Sequence, residues 1–138
     1  METIFTKIVN RQIPSHIVYE DDLVIAFLDI TQTTKGHTLV CTKSPYKNIL
    51  EVPDALFKHL FGVVQLLSRG IQEAFNPSGI NLLNNNGNMA GQTVFHYHVH
   101  IIPRYANKDI TITLPDQSKT LTQDIYKNRA AMIIAALS

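Results

Sequence analysis

Apolar and polar positions recur along this chain with two different periods, and each change of period marks an element. Ile4, Phe5, Ile8 and Val9 return at helical spacing, which predicts a short helix from about Thr3 to Asn10. A strand near Ile17–Glu20 follows, then a turn at Asp21–Asp22. The segment "LVIAFLDI" is apolar almost throughout, as in a strand covered on both sides, and after "TQTTKG" a third strand reads "HTLVCTK". Their connection is too short for a helical crossover, so the two strands pair antiparallel. Leu56, Leu60, Val63, Val64, Leu67, Ile71 and Phe75 form one stripe on a long helix from about Asp54 to Asn76, started by Pro53 and Asp54 and stopped by Pro77. "GINLLNNN" predicts a fourth strand, and after the loop "GNMAGQT" a fifth contains "FHYHVHII". A turn-rich stretch, Ala106 to Lys119, precedes a terminal helix from about Leu121 to Leu137. Strands on either side of one long helix indicate an α+β fold with an antiparallel sheet of about five strands.

Length and composition narrow the function classes. The 138 residues fit a single domain, 1–138, with 45% apolar and 17% charged residues. Twelve basic residues face eleven acidic ones, for a net charge of +1. A nucleic-acid partner needs a clustered basic field, so none is expected, whereas a small phosphate ligand remains open. Cys41 is the lone cysteine, in an apolar run, and reads as a buried thiol in a reducing compartment. The start "METIFTKIVNRQ" lacks the basic and apolar regions of a secretory signal, and no apolar run approaches a membrane span. A cytoplasmic protein with no membrane partner is the expectation.

His96, His98 and His100 occupy alternate positions, and strand geometry puts all three on one face with Phe95, Tyr97, Val99 and Ile101 on the other. Same-face neighbours lie about 6.6 Å apart and the outer pair about 13 Å apart. Three readings stand for such a face. It can be a polar sheet surface. It can be a metal site, since neutral imidazole is a common zinc ligand, although the outer histidines are distant for one tetrahedral ion. It can be a phosphoryl-transfer site in which one imidazole attacks phosphorus and its neighbours bind oxygens and move protons. The adjoining loop "NNNGNMAGQT", rich in amides and glycine and ending in Thr93, is suited to presenting N–H groups to an anion and favours the third.

"HYHVHII" matches the His-φ-His-φ-His-φ-φ signature, φ being apolar, of the histidine triad nucleotide-binding family. The flanking "AGQTVFHYHVHIIPR", the upstream "YEDDLVIAFLDI" and "KGHTLV" resemble that family in order and spacing. The resemblance covers residues 3 to 105; the segment 106–138 is variable and partly helical. It implies a nucleotide hydrolase or transferase acting at the α-phosphorus of purine nucleoside phosphoramidates or adenylated amines through a nucleotidyl-histidine, with no cofactor. A dinucleoside polyphosphate hydrolase, or a nucleotide-binding regulatory module with residual turnover, is the alternative. His98 takes the place of the nucleophile, His100 that of the α-phosphate contact, His96 that of a supporting residue, and His37 that of a fourth histidine in the same network. Asp29 matches the ribose acceptor, Phe27 and Ile30 the walls around the base, and Asn85, Gly91, Gln92 and Thr93 the phosphate-side contacts. The family also implies a homodimer; Phe57, Phe61 and Leu66 outside the helix stripe, and "AAMIIAAL", are further apolar positions in need of cover.

Two departures matter. Many bacterial members begin with Cys-x-x-Cys and bind structural zinc, but here "TIFT" supplies Thr3 and Thr6, and Pro45 stands where a histidine ligand is expected. Hydroxyls do not replace thiolates, so no metal is expected. Nothing after Arg104 resembles the zinc finger of the family's DNA-repair branch.

Overall fold

Strand alternation places Phe27, Asp29, His37, His98 and His100 on one side of the sheet. The computed structural model describes residues 2–138. Its strands are β1 (Ile17–Glu20), β2 (Val24–Leu28), β3 (Thr38–Thr42), β4 (Gly79–Leu83) and β5 (His98–Arg104), all paired antiparallel in the order β1-β2-β3-β5-β4. Helix α1 (Ile4–Val9) precedes the sheet, α2 (Asp54–Phe75) connects β3 to β4, and α3 (Gln123–Ala136) ends the chain. The fold is α+β with a five-stranded antiparallel sheet, as the periodicity predicts.

The two sheet faces bury different sets. Val24, Ala26, Val40, Tyr97, Val99 and Ile101 meet Leu60, Val63, Val64 and Ile71 of α2. Ile25, Phe27, Leu39 and Cys41 meet Phe5 and Ile8 of α1. In the β3–β5 ladder, Cys41 pairs with His98 and Leu39 with His100, so these two histidines share the α1 face. The same alternation carries Phe27 on to Asp29, and Leu39 back to His37, on that face. The register therefore assembles the site.

Four details refine the periodicity. Phe57 and Phe61, outside the stripe, pack against the α2-side core, whereas Leu66 is exposed. Phe75 is partly exposed at the end of α2, and its ring lies over Gly36, where an added Cβ would approach it to 2.9 Å; Gly36 also has φ +93°, so glycine is required there. Asn76 ends α2 in the left-handed conformation, and Pro77 follows. Helix α3 contains no buried residue, leaving Met132, Ile133 and Ile134 uncovered. Among the described residues, no helix is long and apolar enough to cross a membrane.

The fifth strand corrects the sequence expectation. It begins at His98, not at Phe95, because the Tyr97 N–H turns away to donate to the Tyr46 carbonyl. His96 thus lies before the ladder, on the α1 side like His98 but fully buried against Phe5 and Thr3.

Candidate active site

A pocket of about 650 Å³ opens between α1, the end of β2 and the loop before β5. Phe5, Phe27, Asp29, Ile30, His98 and His100 contribute to its wall. Phe27 is buried behind it, while Ile30 stands almost wholly exposed at its mouth. Asn85, Gly91, Gln92 and Thr93 line the opposite side, so the predicted nucleoside and phosphate residues converge on one cavity.

The triad histidines divide into different environments. His98 Nδ1 lies 2.7 Å from the His96 carbonyl. A carbonyl only accepts, so Nδ1 carries the hydrogen and Nε2 keeps its lone pair. Burial lowers the His98 pKa, which keeps the ring neutral, and the Phe5 ring meets it edge-on at 4.9 Å. His100 Nδ1 shares a 2.9 Å hydrogen bond with His37 Nε2. Burial, then the neighbouring His98 and His37, push the His100 pKa down to about 4. His37 is buried and its pKa is likewise lowered by burial, against the opposing pull of Asp29. His37 touches His100 directly, with ring centroids 5.2 Å apart.

His96 is held at both ring nitrogens. Nε2 donates to the Thr42 carbonyl at 2.6 Å, so Nδ1 accepts from the Thr3 hydroxyl at 2.7 Å. The same hydroxyl accepts from Phe5 and Thr6 N–H groups and caps α1, while the Thr6 hydroxyl donates to the Thr3 carbonyl. A structural zinc ion does not fit here. Both threonine hydroxyls are engaged in the cap, neither is a thiolate, and Pro45 offers no donor. One threonine thus ties the N-terminal helix to the histidine whose carbonyl orients His98. Thr3→Val is expected to lower stability by about 2 kcal/mol, since it removes a cap and strands a buried nitrogen. Thr3→Ser should restore most of it; equal urea midpoints for valine and wild type would remove the link.

Asp29 has two faces. Its Oδ1 accepts from the Thr31 N–H and hydroxyl at 2.8 and 2.7 Å, which caps the turn. Its Oδ2 faces His37 Nε2 at 3.5 Å and His100 Nδ1 at 4.0 Å. Oδ1 is thus engaged in the turn, and Oδ2 is the oxygen left outside the cap. The pKa of Asp29 is lowered; burial opposes the shift, and the Thr31 hydrogen bonds with the nearby histidines outweigh it.

The loop corrects a second expectation. The N–H groups of Gly87, Ala90, Gly91 and Gln92 are all spent inside it, on Gln92 Oε1, Gly87, Asn88 and Gly87 oxygens respectively. The buried Gln92 amide also donates to the Lys47 and Val94 carbonyls. Gln92 therefore fastens the loop and has no free donor for phosphate. Gly91 adopts φ +90°, and the Asn85 side chain donates weakly to its carbonyl at 3.5 Å. Sequence reasoning missed Thr3, Thr31 and Asn84. The Asn84 side chain donates to the His98 carbonyl and accepts from the Tyr97 hydroxyl, holding the site strand from its far side. Spatial pairing reveals Thr3 and Asn84, whereas Thr31 is two residues from Asp29 in the same turn.

The HIT domain model matches residues 10–107, across β1 to the end of β5. This chain belongs to the HIT family. It is similar to Protein hit of Bacillus subtilis strain 168, with 56% identity over 106 residues covering 77% of this chain and 73% of that protein. The crystal structure of a HIT family member from Bacillus subtilis superposes with a TM-score of 0.95 at 45% identity, covering 100% of this chain and 99% of that one. The adenylylsulfatase HINT3 of Arabidopsis thaliana is 38% identical over 103 residues, covering 75% of this HIT protein and 52% of the plant protein.

Proposed function

We infer that this HIT protein hydrolyses, or transfers from, nucleoside monophosphate derivatives whose α-phosphorus carries an amine or another good leaving group. The observation that carries the reading is His98. Its Nδ1–H is fixed on the His96 carbonyl, its Nε2 lone pair is unspent, and its ring lines a pocket that also holds Asp29 and His100. A neutral imidazole so oriented can attack phosphorus, the leaving group departs, and a nucleotidyl-histidine forms. Water then attacks the same phosphorus, releasing the nucleoside monophosphate and regenerating the imidazole. His100 is neutral in the free protein; an anionic phosphate beside it would raise its pKa toward the range in which it can donate a proton to the leaving group. The name of the plant relative, an adenylylsulfatase, is consistent with chemistry at an adenylyl phosphorus.

The apolar wall of Phe5, Ile8, Ile13 and Phe27 suits the planar base of a purine nucleotide, with Asp29 Oδ2 accepting from one ribose hydroxyl. The same reading has the chain act in the cytoplasm as a homodimer. The uncovered Leu66, Leu82, Leu83 and α3 support association.

Turnover of an adenosine phosphoramidate, an adenylated lysine and a diadenosine polyphosphate, with product identification, tests the reaction. Asp29 tests the pocket. Losing the ribose hydroxyl that meets it should lower kcat/KM about ten- to hundredfold, the value of a charge-assisted hydrogen bond of roughly 1.5–3 kcal/mol. Asp29→Asn should narrow the ribo-to-deoxy ratio while keeping the Thr31 cap through its amide oxygen. An unchanged ratio in that variant would leave Asp29 as a turn cap alone.

A further inference from the structure

Three donor atoms beside the pocket make a triangle that the reaction above does not use as a unit. His37 Nε2 lies 2.9 Å from His100 Nδ1 and 3.5 Å from Asp29 Oδ2, and the last two atoms are 4.0 Å apart. Within the described residues these three side chains form a group with metal-compatible spacing. The point equidistant from the three atoms is about 2.1 Å from each, which falls within Zn–N and Zn–O bond lengths of roughly 2.0–2.2 Å. We propose that Asp29, His37 and His100 form a binding site for a zinc ion, with one side open toward the pocket.

The donors are held in place before any ion arrives. Thr31 ties up Asp29 Oδ1 and so directs Oδ2 at the two imidazoles. His37 is buried at 3% exposure and has little freedom to turn. The hydrogen now between the rings must move to the far nitrogen of the ring that carries it. For His37 that nitrogen, Nδ1, is buried without a partner and free to take it. Two imidazoles and one carboxylate oxygen suit a borderline transition ion and disfavour magnesium or calcium, which require mostly oxygen donors. Three protein ligands plus an exchangeable position is the donor count of an open zinc site. This set differs from the alternating triad weighed from sequence. It uses one triad histidine together with residues from the ends of β2 and β3. The ion would occupy the carboxylate oxygen and the imidazole that the proposed reaction needs, so zinc would act as a reversible inhibitor. The site itself rests on donor geometry and not on that reaction.

Untagged protein stripped with a chelator, titrated with zinc against a chromophoric competitor, decides the matter. The expected result is one equivalent of zinc bound more tightly than about 100 µM. Asp29→Asn and His37→Ala should each weaken it at least about tenfold, the smallest loss usual for disturbing a metal site, while His59→Ala should not. Cobalt should give intense tetrahedral ligand-field bands that Asp29→Asn abolishes, and a large excess of magnesium should not displace it. Asp29→Asn retains the turn cap, so it carries the test if His37→Ala fails to fold. Absence of stoichiometric zinc, or equal affinity in wild type and Asp29→Asn, would overturn the site. Because binding is read without turnover, it can succeed where the hydrolase reading fails, and the reverse.

Discussion

His98→Ala is expected to lower kcat by at least about 10⁴-fold, roughly 5 kcal/mol of barrier, while leaving nucleotide affinity close to wild type. The asymmetry follows from the geometry. The side chain touches the wall only edge-on at Phe5, and Phe27, Leu39 and Cys41 pack independently against α1. Its one polar contact with the protein is to a carbonyl, and that contact orients the ring without supporting another element. Truncation therefore removes the attacking nitrogen and leaves Asp29, the apolar wall and His100 in place. His98→Asn should behave alike, since an amide can hydrogen-bond but cannot carry a nucleotidyl group through a second displacement. Rapid acid-free quenching followed by intact mass measurement should detect the nucleotidyl adduct in wild type and none in either variant. Residual turnover above a few per cent of wild type would remove His98 as the nucleophile.

The hydrophobic periods were sufficient for the elements because each strand and helix here buries one well-defined set. β2 and β3 are covered on both faces, α2 on one stripe, and their boundaries fall within a residue or two of the pattern. Alternation also made the shared face of His98 and His100 legible. His96 also lies on the α1 side, beside Phe5 and Thr3, but its place before the ladder was not legible, because a strand's first residue is decided by what its backbone N–H groups meet. Tyr97 meets Tyr46, which is 51 residues away and belongs to a segment without regular structure. The loop before β5 misled for a related reason. Its amides and glycines are the composition of an anion cradle, yet the same groups can satisfy one another, and Gln92 does so from inside. Thr3 reads in sequence only as the start of the first helix; its bond to His96 joins residues 93 apart. Asp29 reads in sequence only as a pocket carboxylate; the structure adds that Oδ1 caps the turn at Thr31 while Oδ2 faces His37.

Acid should destabilise this fold earlier than carboxylate protonation alone would. His37, His96, His98 and His100 all have pKa values lowered, in each case chiefly by burial, so the folded chain holds them neutral. The unfolded chain binds protons at these rings near pH 6.5. Above about pH 7 neither state is protonated there, and stability is flat. Below 6.5 the unfolded state takes up more protons than the folded one, so stability falls as pH drops, and continues to fall until the folded pKa values are reached. For His100, whose folded value is about 4, the full loss is at most about 3 kcal/mol, because part of the shift belongs jointly to its histidine neighbours. Four such rings give a ceiling near 5 kcal/mol per pH unit, a large share of the roughly 5–15 kcal/mol that stabilises a domain. Asp29 adds to the loss only at lower pH, since its depressed pKa stabilises the fold above the ordinary aspartate range and fails below it. Urea unfolding at half-unit steps from pH 8 to pH 4.5 should show a plateau above 7 and a steep decline beginning near 6.5. His100→Asn should reduce that slope by about one proton, and bound adenosine monophosphate should move the decline to lower pH, its phosphate compensating the charge that forms on the rings. A stability that stays constant from pH 7 to pH 5 would mean that these imidazoles titrate in the folded chain as they do in water, and the neutral His98 required for attack would lose its physical basis.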